Sequence, residues 1–195
     1  MKSLILAVAL GVACVSAFAQ GQLNFANFGF GANAPVFDTD GKTKLAGSTW
    51  QADLYWAPGT VTDSNLLTPL GAPANFAASG YFLGGSRIIP GQPGGATITG
   101  QVRVWNTADG ANYVVAGMFP GHAIGASALF PILLTTPPTP PNTLTAMTSF
   151  SLHSVIPEPS ALALAGICLS GMLVLRRRKH TPWSTAPITG HHSGS

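Results

Sequence analysis

The chain has 195 residues, of which 46% are hydrophobic and only 8% are charged. This length suits one small domain with targeting segments rather than a multidomain enzyme. The 23 glycines and 16 prolines disfavour a helical bundle, because both residue types interrupt helix interiors. We therefore expect an all-β fold.

The formal net charge of +3 is unevenly distributed along the chain. Residues 20–154 carry four bases and five acids, a net charge of −1. The remaining residues carry five bases and one acid, a net charge of +4. A nucleic-acid groove requires Lys and Arg clustered on the folded domain itself, so the sequence predicts no nucleic-acid partner.

Residues 1–19 have the pattern of a signal peptide. Lys2 precedes an apolar run over residues 4–15, and Ala17 and Ala19 form the small-x-small pattern that signal peptidase accepts. The sequence predicts cleavage before Gln20. An N-terminal membrane helix is the alternative, but the run is only 12 residues long and no basic stop-transfer cluster follows it.

The chain has two cysteines, Cys14 and Cys168, and neither lies in residues 20–154. Disulfides therefore cannot stabilise an exported domain over these residues, which must depend on its hydrophobic core. Lipidation of Cys14 is a second alternative for the N-terminal segment. Gly11 stands three positions before it, however, where a lipoprotein signal has a residue like leucine.

Residues 160–175 are 16 residues without a charge, and a basic cluster follows at once. As a helix they would reach about 24 Å, slightly less than the roughly 30 Å hydrocarbon layer, so we predict a marginal single transmembrane helix. Four bases at its end should remain cytoplasmic, which places residues 20–154 outside. A buried core helix is the alternative, but such a cluster would need acids that this chain hardly has. The cluster comprises Arg176, Arg177, Arg178 and Lys179.

Pro157, Glu158 and Pro159 stand directly before this apolar run, which begins at Ser160, and Glu158 is the sole glutamate of the chain. The order of a Pro-Glu-Pro, an apolar helix and an Arg-rich cluster over residues 155–179 resembles the PEP-CTERM sorting signal of Gram-negative bacteria. The resemblance implies recognition by a membrane-embedded exosortase, which cuts near the Pro-Glu-Pro and passes the domain to the cell surface or exterior. Two prolines fix an extended backbone of the kind that a protease cleft prefers.

Residues 180–195 follow the basic cluster, whereas the family usually ends soon after it. This segment has no apolar periodicity, and we expect a disordered cytoplasmic tail. His191 and His192 are more often solvated than metal-bound in such a tail, so no metal site is predicted there.

Residues 20–154 show the period-two alternation of β-strands. Residues 96–105 place Ile98, Val102 and Val104 on one face and polar residues on the other, as in a half-buried strand. Residues 50–56 alternate likewise, and further strand candidates are residues 22–28, 113–118, 128–134 and 144–152. Turn signals separate them at Asp40-Gly41, Ala57-Pro58-Gly59, Pro90-Gly91, Pro93-Gly94-Gly95 and Asp109-Gly110.

This pattern predicts a β-sandwich-like exported domain. Disorder is the alternative, because proline and glycine are frequent, but the region has enough aromatic residues to build a core. Residues 135–142 are expected to form a stiff polyproline II excursion or spacer. Residues 24–55 also loosely resemble the opening of uncharacterised proteins with the same sorting signal, which implies no activity.

A search for catalytic motifs gives mostly absences. The sequence contains no Gly-x-Ser-x-Gly elbow, no His-Glu-x-x-His, no Walker loop and no GxGxxG, and residues 20–154 contain no glutamate. His122 could serve a serine nucleophile with one of the aspartates, but nothing in the spacing links it to a partner. Residues 38–41 have half of a calcium-loop pattern, but Lys42 occupies the next ligand position, which favours a simple turn.

We therefore expect no catalytic residue, metal or cofactor, and a structural or adhesive role in biofilm or exopolysaccharide. The low charge of residues 20–154 weakens colloidal repulsion and so favours self-association. A carbohydrate-binding module is the first alternative, because Tyr55, Trp56 and Trp105 could form a stacking platform if they project outward. A secreted hydrolase that uses His122 is the second.

Overall fold

A computed structural model describes residues 20–156 and Ser170. This part of the chain consists mainly of β-strands, which confirms the predicted all-β class. The strands are β1 (Gln20–Ala26), β2 (Phe28–Gly29), β3 (Ala32–Asn33), β4 (Val36–Phe37), β5 (Trp50–Pro58), β6 (Thr68–Pro69), β7 (Ala74–Ala78), β8 (Tyr81–Pro93), β9 (Thr97–Asn106), β10 (Ala123–Ala126), β11 (Phe130–Leu133), β12 (Phe150–Ser151) and β13 (His153–Ser154). A 3-10 helix spans Ser64–Leu66, and one short helix, α1, spans Tyr113–Ala116.

Nine of the strands form one hydrogen-bonded sheet in the order β1-β8-β7-β5-β9-β10-β13, with β11 beside β9 and β6 beside β5. The chain that leaves β11 returns to β1, because Gln22 and Thr135 exchange backbone hydrogen bonds of 2.9 and 3.0 Å. Strand pairing therefore leads from β1 through β8, β7, β5, β9 and β11, and the bridge between Gln22 and Thr135 returns it to β1. Of the strands predicted to form a sandwich, β1, β5, β9 and β11 belong to this one sheet.

The core fills the space that this sheet encloses. Leu23 and Phe25 of β1, with Phe82 of β8, meet Val102 of β9, and all four side chains are fully buried. The Phe25 and Phe82 rings pack with their centroids 4.8 Å apart. Core residues come from both walls of the sheet, so hydrophobic burial alone accounts for a stable domain without disulfides.

Strands β5 and β9 are the longest antiparallel pair in the centre of the sheet, as their alternation predicts. Ile98, Val102 and Val104 are buried on the core side, as expected. The prediction that β9 is half-buried is wrong, because Thr99 and Gln101 on its other face are buried too. Two connecting segments, residues 59–73 and 107–122, cover that face.

Residues 113–118 do not form the predicted strand. Residues 113–116 form α1, because the Asn112 side chain accepts a hydrogen bond of 3.0 Å from the backbone N–H of Val115 and caps the helix. Gly117 then ends it. An asparagine before a short apolar run is a helix start signal, and here it outweighs the β-branched composition.

Pro90-Gly91 does not reverse the chain. Strand β8 continues through it to Pro93, and the register against β1 shifts between the pairs Gln22–Ile88 and Gln20–Pro93. Gly91 has a φ of 69°, which allows this bulge without side-chain strain. The true reversal follows at Gly94 and Gly95, where a turn signal was also predicted.

Two other predictions are corrected near the end of the domain. Residues 144–149 are irregular, and within the predicted strand 144–152 only Phe150–Ser151 is one. Residues 135–142 turn rather than extend, because the N–H of Thr139 donates to the carbonyl of Thr136 at 2.9 Å. Gln22 Nε2 holds this turn against β1 through a 2.8 Å hydrogen bond to the Thr139 carbonyl.

Candidate functional site

An open cleft of about 560 Å³ lies over the outer face of β5 and β9. The segment 59–73 forms one side and the segment 107–122 forms the other. Its lining residues are Asp53, Tyr55, Pro69, Gly71, Pro73, Trp105, Ala111, Asn112, Val114 and Val115. This size and this mainly apolar lining are typical of a site for a small molecule or for one unit of a polymer.

The floor of the cleft follows from strand alternation. Asp53 and Tyr55 of β5 point to the same face, and so do Arg103 and Trp105 of the paired strand β9. Both aromatic side chains are buried, and the Trp105 Nε1–H donates to the Gly110 carbonyl at 3.2 Å. Trp56 packs against the main core instead. The three aromatic residues therefore do not form an exposed platform. Tyr55 and Trp105 instead line the floor of the cleft.

Asp53 is the one acidic side chain among the residues that line the cleft. It is only 6% exposed, and its Oδ1 has no hydrogen-bond partner among the described residues. Burial raises the pKa of Asp53 to about 6, against the opposing effects of the Leu54 backbone N–H and of Arg87 and Arg103. Desolvation of the charged form is therefore the dominant influence on this carboxyl.

Arg87 and Arg103, the two arginines whose charges act on the pKa of Asp53, donate hydrogen bonds to other groups. Arg103 Nη2 donates to the Ser64 carbonyl at 2.7 Å, and its guanidinium stacks 4.0 Å above the Tyr55 ring. Arg87 Nη2 donates to the Ala72 carbonyl at 2.8 Å. Within residues 20–156 neither arginine forms an ion pair with Asp53.

A buried carboxylate with a free acceptor oxygen costs free energy unless a donor reaches it. Within residues 20–156 no hydrogen-bond donor is placed on Asp53 Oδ1, and Arg87 Nε is a second buried polar atom without a partner, on a guanidinium whose charge lowers the pKa of Asp53. The sequence analysis missed Asp53. An acid in mid-strand between two apolar residues, Ala52 and Leu54, was the signal that could have indicated it.

His122 does acquire a partner in the fold. Its Nε2 lies 3.7 Å from Asp109 Oδ1, and its Nδ1 lies 3.2 Å from the Ala116 carbonyl oxygen. A carbonyl only accepts, so Nδ1 carries the proton of that contact. The 3.7 Å separation from Asp109 is too long for a hydrogen bond, so among the described residues Nδ1 is the ring nitrogen that makes one.

Residues 38–41 form a turn, as the favoured interpretation predicts. Asp40 Oδ1 accepts the backbone N–H groups of Lys42 and Thr43 at 2.9 and 2.8 Å. The Thr43 hydroxyl, whose hydrogen bond is the largest influence, and these N–H groups lower the pKa of Asp40. Among the described residues no group of three His, Cys, Asp or Glu side chains could hold a metal ion.

The chain enters and leaves the described domain at exposed positions. Gln20, the residue predicted to follow signal peptidase cleavage, is exposed at the start of β1. At the other end Val155 pairs with the loop before β10, through hydrogen bonds of 2.8 Å to the His122 carbonyl and 2.9 Å from the Gly121 N–H. Ile156 follows and is 81% exposed.

Ala17, Ala19 and residues 157–169 and 171–179 lie outside the described residues, and so do the predicted cleavage sites, the basic cluster and nearly all of the predicted membrane helix. The tail 180–195 lies outside them as well. In the part of the chain that the structure describes, no helix is long and apolar enough to cross a membrane. These residue assignments and domain limits therefore remain predictions.

Comparison with known proteins supports the sorting signal directly. Residues 155–179 match the family model described as the PEP-CTERM protein-sorting motif. No curated protein and no solved structure matches the chain. The motif indicates a protein that is exported, anchored in a membrane during sorting and then processed by an exosortase towards the cell surface. The chain therefore carries, directly after its β-domain, the PEP-CTERM protein-sorting motif of an exosortase substrate.

Proposed function

We propose that the β-domain is a non-enzymatic adhesive module, which binds hydroxyl-rich polysaccharide in the Asp53 cleft after export. Its role would be structural, in the exopolysaccharide or biofilm matrix at the cell surface. This proposal joins the adhesive role expected from the sequence to its first alternative, carbohydrate binding. It adds the residues that would carry the contact.

The observation that carries the proposal is the unpartnered Oδ1 of Asp53 at the floor of an apolar cleft. Sugars offer hydroxyl donors next to apolar C–H faces, which would match this carboxylate and the rings of Tyr55 and Trp105. Because these three side chains are buried, binding would require the covering segments 59–73 and 107–122 to move apart. A site built to receive hydroxyl groups discriminates strongly against ligands that lack them, because its polar atoms are otherwise left unpaired.

The test is polysaccharide binding by the full chain in detergent micelles. Dextran, cellulose oligomers and alginate would be titrated while the tryptophan fluorescence is recorded, since Trp105 lines the cleft. We expect a saturable shift with at least one of these polymers. Trp105→Phe should remove most of the shift, and Asp53→Asn should weaken binding at least about tenfold, the loss expected for a hydrogen bond to a charged group.

Asp38→Asn is the matched control, because Asp38 is also an aspartate but does not line the cleft. Equal binding by wild type and Asp53→Asn would exclude the cleft as the binding site. Absence of a shift with every polymer would exclude these sugars as ligands and leave only a purely structural role.

A separate experiment tests export and the two cleavage sites. We propose cleavage before Gln20 by signal peptidase and within a few residues of Pro159 by exosortase. The resulting fragment should appear by intact-mass analysis of culture medium and membranes. Full-length material in cells with a working exosortase would contradict this processing. A hydrolase that uses His122 is the second alternative, and loss of a hydrolytic activity in His122→Ala would contradict the non-enzymatic proposal.

A further inference from the structure

Three large apolar side chains are exposed near the point where the chain leaves the described domain, beside the exposed polar residues His153 and Ser154. Met118 and Phe119 are 66% and 53% exposed, and Ile156 is 81% exposed. We call these three residues the exit patch. We infer that the exit patch rests on the lipid surface while the chain is anchored for sorting.

The three side chains belong to neighbouring segments. The Phe119 ring lies 5.6 Å from the ring of His122, between centroids. His122 in turn pairs through its backbone with Val155, which directly precedes Ile156. The loop that bears Met118 and Phe119 and the chain exit at Ile156 are therefore side by side.

The loop also lacks charge. Residues 110–121 contain no Asp, Glu, Lys, Arg or His; Asp109, which directly precedes them, faces His122, and the Arg103 guanidinium lies 5.4 Å from the Tyr113 ring centroid. Moving this segment from water to an interface therefore requires no desolvation of an ion. Exposed apolar residues without charge, grouped on one side of a domain, are typical of an interaction surface.

The length of the chain between Ile156 and the uncharged run limits how far the exit patch can lie from the membrane. Residue 160, where the uncharged run begins, is four residues beyond Ile156 and can lie at most about 14 Å away even in a fully extended chain. Because the motif indicates a membrane-anchored stage, the exit patch is then held close to the lipid surface. Phe and Met partition well into that interface. This inference needs the anchored stage but does not depend on polysaccharide binding.

The experiment uses the full chain with Cys14→Ser and Cys168→Ser, reconstituted into vesicles of phosphatidylethanolamine and phosphatidylglycerol that contain a brominated phosphatidylcholine. One variant carries an environment-sensitive fluorophore on Met118→Cys. Its matched control carries it on Ile88→Cys, which is similarly exposed, at 59%, but lies on β8. Thermal unfolding of each labelled protein verifies that the fold is retained, which is expected because both side chains are exposed.

We expect quenching by brominated lipid to be at least about twofold stronger at position 118 than at position 88. Equal quenching at the two positions would overturn the inference. The inference would also be overturned if the fluorophore at position 118 reports an apolar environment only after exosortase is added, because the exit patch would then bind the enzyme rather than lipid. Dextran or alginate binding can be measured on the same samples, so that failure of the proposed polysaccharide function is seen separately.

Discussion

Replacing Asp53 with asparagine should stabilise the protein at neutral pH. Burial raises the pKa of Asp53 from 3.8 to about 6, so the folded state prefers the protonated carboxyl. Between these two values the folded state binds more protons than the unfolded state, and stability therefore falls as the pH rises from about 4 to about 6. Above this window the charged carboxylate destabilises the fold by on the order of 3 kcal/mol, at about 1.4 kcal/mol for each pKa unit.

Asp53→Asn removes this charge but keeps the shape of the side chain. We expect the free energy of unfolding to match wild type near pH 3 and to exceed it by up to about 3 kcal/mol at pH 7. The measurement is denaturant unfolding of the full chain in detergent, followed by tryptophan fluorescence at each pH. Asp38→Asn is the control for replacing an aspartate outside the cleft. A variant that is less stable than wild type at pH 7 would refute the view that Asp53 is a buried charge without a partner.

Three further predictions concern the core and the cleft. Asn27→Ala should destabilise the fold by about 3–5 kcal/mol in denaturant unfolding, because fully buried Asn27 makes three hydrogen bonds to backbone groups, at 2.8, 2.8 and 2.9 Å. Asn75→Ala, at an exposed position, should cost under about 0.5 kcal/mol, and similar costs for both variants would contradict this account. Gly84→Ala should lower the melting temperature, because a Cβ at this position would overlap the Phe25 ring. The expected loss of stability is about 1–3 kcal/mol. An unchanged melting temperature would show that the ring can move away. Polysaccharide affinity should fall as the pH drops through about 6, because a protonated Asp53 carboxyl accepts hydrogen bonds less strongly than a carboxylate. Binding titrations at pH 5 and pH 8 measure this change. Equal affinities at the two pH values would mean that Asp53 does not contact the ligand.

The sequence predicts the all-β class and the central strands well because those features are local. Alternation of apolar residues places Ile98 and Val102 on the core side of β9, where the structure confirms them. The outer face of the same strand could not be predicted, since its burial comes from segments 59–73 and 107–122. Nothing in the pattern of β9 records what distant segments will cover it.

The closed sheet and the cleft depend even more on distant parts of the chain. The bridge between Gln22 and Thr135 joins residues 113 positions apart, and a proline-rich composition around Thr135 indicated an extended spacer instead. Asp109 and His122 are likewise brought together by the turn and short helix between them. Sequence spacing identifies motifs of continuous residues, such as the sorting motif at 155–179, far more readily than it identifies sites assembled by folding.

Under the two proposals above, the exit patch would act while the protein is anchored and the cleft would act after its release. The exit patch is connected to the sorting motif by the chain itself, so its position matters while the protein is anchored. The Asp53 cleft lies over the centre of the sheet, and its lining residues all fall between Asp53 and Val115. Under these two proposals, cleavage near the Pro-Glu-Pro would free the exit patch from the membrane and would remove no residue that lines the cleft. On this reasoning a polysaccharide-binding site formed before sorting is the site that the released protein carries to the cell surface.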